Sequence, residues 1–151
     1  MNITILACGK IKKDSTSDML DHYQKQFKWS VKVKEFNVSV NDAVAKKKQE
    51  NELLLEAIDN GAYLIVLDET GKDIGSLDFA ALIEKQQQIS TKHIQIIIGG
   101  ADGLTDEVRQ RANYMLRFGK MTWPHKMVRL MLFEQIFRAQ SIIDNHPYHR
   151  D

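Results

Sequence analysis

One stretch of the chain gathers more chemically capable groups than any other: Phe118-Gly119-Lys120-Met121-Thr122-Trp123-Pro124-His125-Lys126-Met127-Val128-Arg129. Proline is favoured at the first position of a helix, where its missing N–H has no partner and its φ is already helical. Pro124 therefore marks a helix start, and Trp123 before it is pushed toward extended backbone. Phe118 to Trp123 reads as an ordered extended loop whose amides and carbonyls are not all used by a sheet. Such a loop can hold a flat heterocycle by its edges, or serve only as a connector. His125 falls in the first helical turn. The helix dipole there disfavours imidazolium and keeps the ring neutral, able to take a proton or to make a structural hydrogen bond.

Three further groups bear on chemistry. Gly71, Gly99, Gly100, Gly103 and Gly119 let backbone come close to a ligand with no Cβ in the way. Gly99-Gly100-x-x-Gly103 is not the G-x-G-x-x-G fingerprint, which disfavours a nicotinamide cofactor. Cys8-Gly9-Lys10 lacks the upstream glycine and the Ser or Thr of a phosphate loop, and Cys8 closing a strand reads as a small buried hydrophobe. In the tail His146-Pro147-Tyr148-His149-Arg150-Asp151, Tyr148 offers a stacking face, His149 a titratable ring and Arg150 a fork for phosphate or a base edge. His146 and His149 alone do not make a metal site. The tail carries no core signal, and a tail of that kind frays.

The elements that must position these groups alternate. Asn2–Ala7, Val31–Val38, Tyr63–Leu67 and Ile94–Ile98 are apolar, β-branched runs and predict strands, with an irregularity near Glu35-Phe36 and a short fifth run at Met115–Phe118. Helices are predicted from Ser15, as N-cap with Asp18 three residues on, from Asp42 to about Asp59, and from Ser76 to about Ile89. Others start after Thr105 and run from Pro124 to about Asn145. Strands alternating with helices make an α/β domain with a mostly parallel sheet flanked by helices, one domain over residues 1–151. Ligands in such sheets sit beyond the carboxyl ends of strands. The loops after Leu67, after Ile98 and after Phe118 occupy that position. Lys46-Lys47-Lys48 reads as a solvated helix face or an RNA-facing patch. The last helix is apolar nearly all round, so one side can face the sheet and the other asks for a second chain.

The composition narrows the classes. At 43% hydrophobic the chain can build a core. No run approaches a membrane span, and there is no signal-peptide pattern. A single cysteine excludes an internal disulfide and fits a reducing cytoplasm. The net charge of +1 conceals an asymmetry: residues 1–108 carry 13 basic against 17 acidic side chains, residues 109–151 carry 8 against 3. A basic half can meet a polyanion.

Ile98-Gly99-Gly100-x-x-Gly103-Leu104, Met121-Thr122-x-Pro124-His125-x-x-x-Arg129, Glu134-Gln135-x-x-Arg138-Ala139 and His146-Pro147-Tyr148-His149-Arg150 resemble the RlmH methyltransferases. These small SPOUT-class enzymes methylate N3 of a pseudouridine in bacterial large-subunit (23S) ribosomal RNA. The resemblance spans the chain and is most specific in its final third. It implies a SPOUT-type sheet with a C-terminal trefoil knot, against the general rule that chains are not knotted. It implies an S-adenosylmethionine site at Leu67, Gly99 with Gly100 beside it, and Phe118, Gly119, Lys120, Met121, Thr122 and Trp123, contacted mostly through backbone. It also implies a cytoplasmic homodimer acting on ribosomal RNA or the ribosome, with no metal and no membrane. The candidate catalytic residues are His125, Tyr148, His149 and Arg150. Two other readings stay open: a non-catalytic dimeric RNA- or ribosome-binding module, and a SPOUT methyltransferase acting on transfer RNA.

Overall fold

Runs such as YLIVL and IQIII have no polar face to offer water, and the fold buries them on both sides. The computed structural model describes residues 1–150. In chain order it has β1 Asn2–Cys8, α1 Ser15–Gln24, β2 Ser30–Phe36, α2 Ala43–Ala57, β3 Tyr63–Lys72, α3 Ser76–Gln88, β4 His93–Ile98, α4 Asp106–Arg111, β5 Tyr114–Leu116 and α5 His125–Ile143. The five strands pair in the order β2-β1-β4-β3-β5, every pair parallel. Alternate side chains feed two cores. Ile3, Ile5, Ile65, Ile94 and Ile96 pack with Leu20 of α1, Phe79 and Ile83 of α3, and Leu132, Phe133 and Ile136 of α5. Leu6, Cys8, Leu64, Val66 and Ile97 pack with Leu54 and Val108 on the opposite face. Gln95, buried in β4, accepts from the Asp59 N–H and donates to the Ala57 carbonyl, closing the end of α2.

Several sequence expectations shift. The N-cap of α1 is Asp14, which shares a capping box with Ser17; the other oxygen of its carboxylate binds Lys126 of α5. The β2 register with β1 runs unbroken through Phe36, without the expected irregularity. Gly75, not Ser76, is the N-cap of α3. β3 does not end at Leu67. It continues to Lys72 past an irregularity, and Leu116 of β5 pairs with both Leu67 and Lys72. There the two backbones touch: a Cβ on Gly71 would lie 2.5–2.7 Å from main-chain atoms of Leu116.

The long helix α5 lies between α1 and α3 over the sheet, which accounts for much of its wide apolar surface. What stays outward is Met127, 42% exposed, with Leu130 and Met131 half-buried beside it. The tail is docked, not frayed. The Tyr148 ring meets Phe137 edge-on at 4.7 Å.

Candidate functional site

β4 and β5 both neighbour β3 in the sheet, so the irregular stretch of β3 after Leu67 and the loops that leave β4 and β5 converge. Between them lies a cleft of about 750 Å³, within the usual range for a small-molecule site. Leu67, Gly99, Gly100, Gly119, Lys120, Met121, Thr122, Trp123 and His125 all line it. Phe118 does not. It lines a second cavity of about 500 Å³ between α3 and α5, on the far side of the same loop.

The loop after β5 is held by its own chemistry. Arg117 forks onto both Asp73 carboxylate oxygens at 2.8 and 2.6 Å and reaches the Glu69 carbonyl. Those bonds hold the Asp73 carboxyl below its ordinary range. Gly119 turns the chain at φ +85°, a conformation open to glycine. The Trp123 indole N–H then donates to the Phe118 carbonyl at 2.9 Å and closes the turn. Among the described residues, the backbone N–H groups of Lys120 to Trp123 donate no hydrogen bond, so they stand free at the edge of the cleft.

The glycines of the β4 loop have a role the sequence did not disclose. A Cβ on Gly99 would meet the buried Leu104 side chain at 2.8 Å, and one on Gly100 would run into the Glu50 carboxylate. These two glycines admit the protein's own packing. Asn51, one residue on, donates to the Gly103 carbonyl and accepts from the Thr105 N–H, so α2 clasps the whole loop.

The walls of the cleft are apolar at Leu67, Ile98, Leu104 and Val128, and its rim carries Asp68, Glu69 and Asp102. Burial works to raise the Asp68 carboxyl, but hydrogen bonds from Thr70 and Arg109 outweigh it and keep it ionised. Apolar walls, free backbone amides and carboxylates suit a flat nucleoside bearing cationic groups.

His125 stands at the cleft's other end. Burial lowers its pKa, the nearby charges of Arg129 and Lys46 lower it further, and a hydrogen bond with the Gly99 backbone opposes them. The direction favours the neutral ring that the sequence reading expected, with burial and neighbouring cations as the causes. Arg129, 3% exposed, lies one turn below. It donates to Glu35 and, at 3.0 Å, to the Gly9 carbonyl, while its Nε is unpartnered.

Tyr148, His149 and Arg150 are not in this cleft. Tyr148 donates to Glu134 at 3.1 Å and packs against the Arg138 guanidinium. Its phenol is pushed well above its ordinary value by burial, by Tyr23 and by Glu134. His149 lies 3.1 Å from Arg138, and Arg150 is exposed. Their one link with a cavity is Glu134, which borders the smaller one. Within a single chain the tail and His125 remain apart.

Sequence reasoning missed Glu50 and the Arg129–Glu35 pair. Glu50 is 3% exposed and its Oε2 has no partner. Burial raises its carboxyl, offset by Lys46. Its only sequence signal is a charged residue on the face of α2 that Leu54 marks as inward. Cys8 is inert: burial and then Glu50 push its thiol up to about 12. Among the described residues, no group of three or more His, Cys, Asp or Glu side chains could hold a metal ion. Among the described residues no helix is long and apolar enough to cross a membrane.

Comparison with known proteins identifies the family and the fold. Residues 1–149 match a family model described as "Predicted SPOUT methyltransferase". A protein of Rhodospirillum centenum named ribosomal RNA large subunit methyltransferase H is 41% identical over 151 residues, with 99% of each chain covered. One of the same name from Paramagnetospirillum magneticum is 42% identical over the same span, again covering 99% of each. Among solved structures, "a probable methylase family protein" from Haemophilus influenzae Rd KW20 shares the fold, with a TM-score of 0.56 at 14% identity. The match covers 95% of this chain and 66% of that one.

Proposed function

The chain belongs to the SPOUT methyltransferase family, and from that premise we propose that it methylates N3 of a pseudouridine in bacterial 23S ribosomal RNA. The methyl donor is S-adenosylmethionine, and the enzyme works in the cytoplasm as a homodimer built from a single domain. The observation that carries this reading is the identity of about 41% over the full chain to proteins named for large-subunit ribosomal RNA methylation.

The cleft fits the donor. Leu67, Gly99, Gly100 and the loop from Gly119 to Trp123 would hold it, with Phe118 fixing the loop from behind through its bond to Trp123. The approach of Gly71 to Leu116, and the pairing of Leu116 with both Leu67 and Lys72, support the threaded topology of the family. When bound, S-adenosylmethionine supplies a sulfonium methyl already activated for transfer. What remains for the chain is to position the acceptor in line, exclude water and manage one proton. The acceptor N3–H must be lost, and His125, which lines the cleft and has its pKa lowered by burial, would take that proton. The outward stripe of Met127, Leu130 and Met131 supports pairing of two α5 helices. That pairing would carry the partner's tail over the cleft and let Tyr148, His149 and Arg150 close on the base.

The test is transfer of tritiated methyl from S-adenosylmethionine into large-subunit RNA, offered as free RNA and as assembled ribosomes, with transfer RNA alongside. Label in the large-subunit RNA supports the reading. Label in transfer RNA alone moves the substrate, and stoichiometric donor binding with no transfer to any RNA leaves a binding module.

A further inference from the structure

The arginines of the C-terminal third do not form a positive coat. Arg109 binds Asp68 and Asp106, Arg111 binds Asn60, Arg117 binds Asp73, Arg129 binds Glu35 and Arg138 binds Glu134. The basic excess read from the sequence is mostly used inside the molecule. Lysines of the N-terminal half show the opposite. Lys10, Lys12 and Lys13 in the β1–α1 loop, and Lys46 and Lys47 in α2, make no ion pair among the described residues. Lys48 has only Glu52, at 3.9 Å.

The fold brings these two segments to one place. α1 and α2 each begin after a strand has ended, so in an all-parallel sheet both starts lie at the carboxyl edge, beside the cleft. The β1–α1 loop is held against the start of α5 by Arg129 on the Gly9 carbonyl and by Lys126 on Asp14. Lys46 and Lys47 sit one helical turn before Glu50 and Asn51, the two residues that underlie and clasp the Gly100–Thr105 loop of the cleft. Lys46 is balanced in part by the buried Glu50 carboxyl, and the Asp42 carboxylate caps the positive end of α2, but neither forms an ion pair with Lys46 or Lys47 among the described residues.

We propose that Lys10, Lys12 and Lys13 on one side and Lys46, Lys47 and Lys48 on the other form a phosphate-binding track that grips the RNA strand flanking the target nucleotide at the cleft. The proposal rests on the methyltransferase reading and assigns its RNA-binding face to the N-terminal half. Lysine suits the task, since it binds phosphate as a point charge without reading sequence.

The experiment measures binding to assembled ribosomes as a function of salt for three full-length variants. Two are Lys10→Gln/Lys12→Gln/Lys13→Gln and Lys46→Gln/Lys47→Gln/Lys48→Gln. The third is the control Lys85→Gln/Lys92→Gln, at the end of α3 and just before β4, on the opposite edge of the sheet. Each lost phosphate contact removes roughly 0.7–0.9 from the slope of log affinity against log salt. Each triple variant should lower the slope by about two and weaken binding roughly tenfold or more at moderate salt. The melting temperature and S-adenosylmethionine affinity should hold in the β1–α1 triple and in Lys47→Gln/Lys48→Gln, which spares the Lys46 charge beside buried Glu50, and the control should match the wild type. The corresponding Lys→Arg triples should keep the wild-type slope. Triples that retain the wild-type slope, or a control that falls equally, overturn the track. If the wild type methylates ribosomes while the triples bind normally, only this inference fails. If the wild type neither binds nor methylates ribosomal RNA, the proposed function fails with it.

Discussion

Replacing Arg129 by Met tests whether the buried ion pair at the start of α5 holds the site together. Arg129 is 3% exposed, and its head group joins three elements: α5, Glu35 at the end of β2 and the Gly9 carbonyl after β1. Breaking a fully buried pair costs about 3–5 kcal/mol. Glu35 retains 29% exposure of its side chain and still accepts from the Ile11 N–H, so it can rehydrate. Methionine keeps the apolar stem and removes the unpartnered Nε. Those corrections leave a loss of roughly 2–3 kcal/mol, or about 5–10 °C in melting temperature for a chain of this size. Calorimetry on Arg129→Met, Glu35→Gln and the double variant gives the coupling, expected to be clearly non-additive because the two residues share one bond. The His125 pKa should also rise in Arg129→Met, read by NMR titration, since Arg129 is one of the charges that depress it. A melting temperature within about 1 °C of wild type, or additive singles, would refute the reasoning.

Other outcomes follow from the same packing. Gly71→Ala sets a Cβ 2.5 Å from the Leu116 main chain, which cannot rotate away, and should cost about 3 kcal/mol and weaken donor binding. Gly75→Ala, whose Cβ would meet only Asp78 at 3.7 Å, should cost little in the same thermal melts. The folded pKa of His125 lies below its ordinary 6.5, so its contribution to stability is full above that pH and lost as pH falls through the folded value. His125→Gln should flatten the stability curve below about pH 6.5, measured by denaturant titration across pH. Cutting the chain after Asn145 removes the Tyr148 contacts with Phe137 and Glu134 and should lower the melting temperature by only a few degrees. Donor affinity should hold, while single-turnover methyl transfer falls about a hundredfold or more. Arg150→Ala should reproduce much of that loss.

How much of this was legible in the sequence depended on the kind of signal. Continuous apolar runs such as YLIVL and IQIII belong to strands covered on both faces, and the cleft lies where they were expected to end, between the loops after β4 and β5 and the stretch of β3 that follows Leu67. The extension of β3 to Lys72 was not legible, because it depends on Leu116 pairing twice, a contact across more than forty residues. Asp14 takes the cap in place of Ser15 through a reciprocal capping box with Ser17, a local pattern one residue away from the one the sequence reading used. Gly99 and Gly100 line the cleft, and they also make room for Leu104 and Glu50, a packing role that no local pattern shows. Charge counting pointed to the C-terminal half, yet Arg109, Arg117, Arg129 and Arg138 there are paired internally. Composition records charge and is blind to pairing.

The central claim is methyl transfer to N3 of a pseudouridine in large-subunit RNA. The direct measurement is nucleoside mass spectrometry of 23S RNA from ribosomes that lack the modification, incubated with this protein and S-adenosylmethionine. The account predicts 3-methylpseudouridine at a single position, formed with the wild-type protein and nearly absent with His125→Gln. A methyl group on another base, at a carbon or ribose oxygen, or no methylated nucleoside despite donor binding, would contradict it.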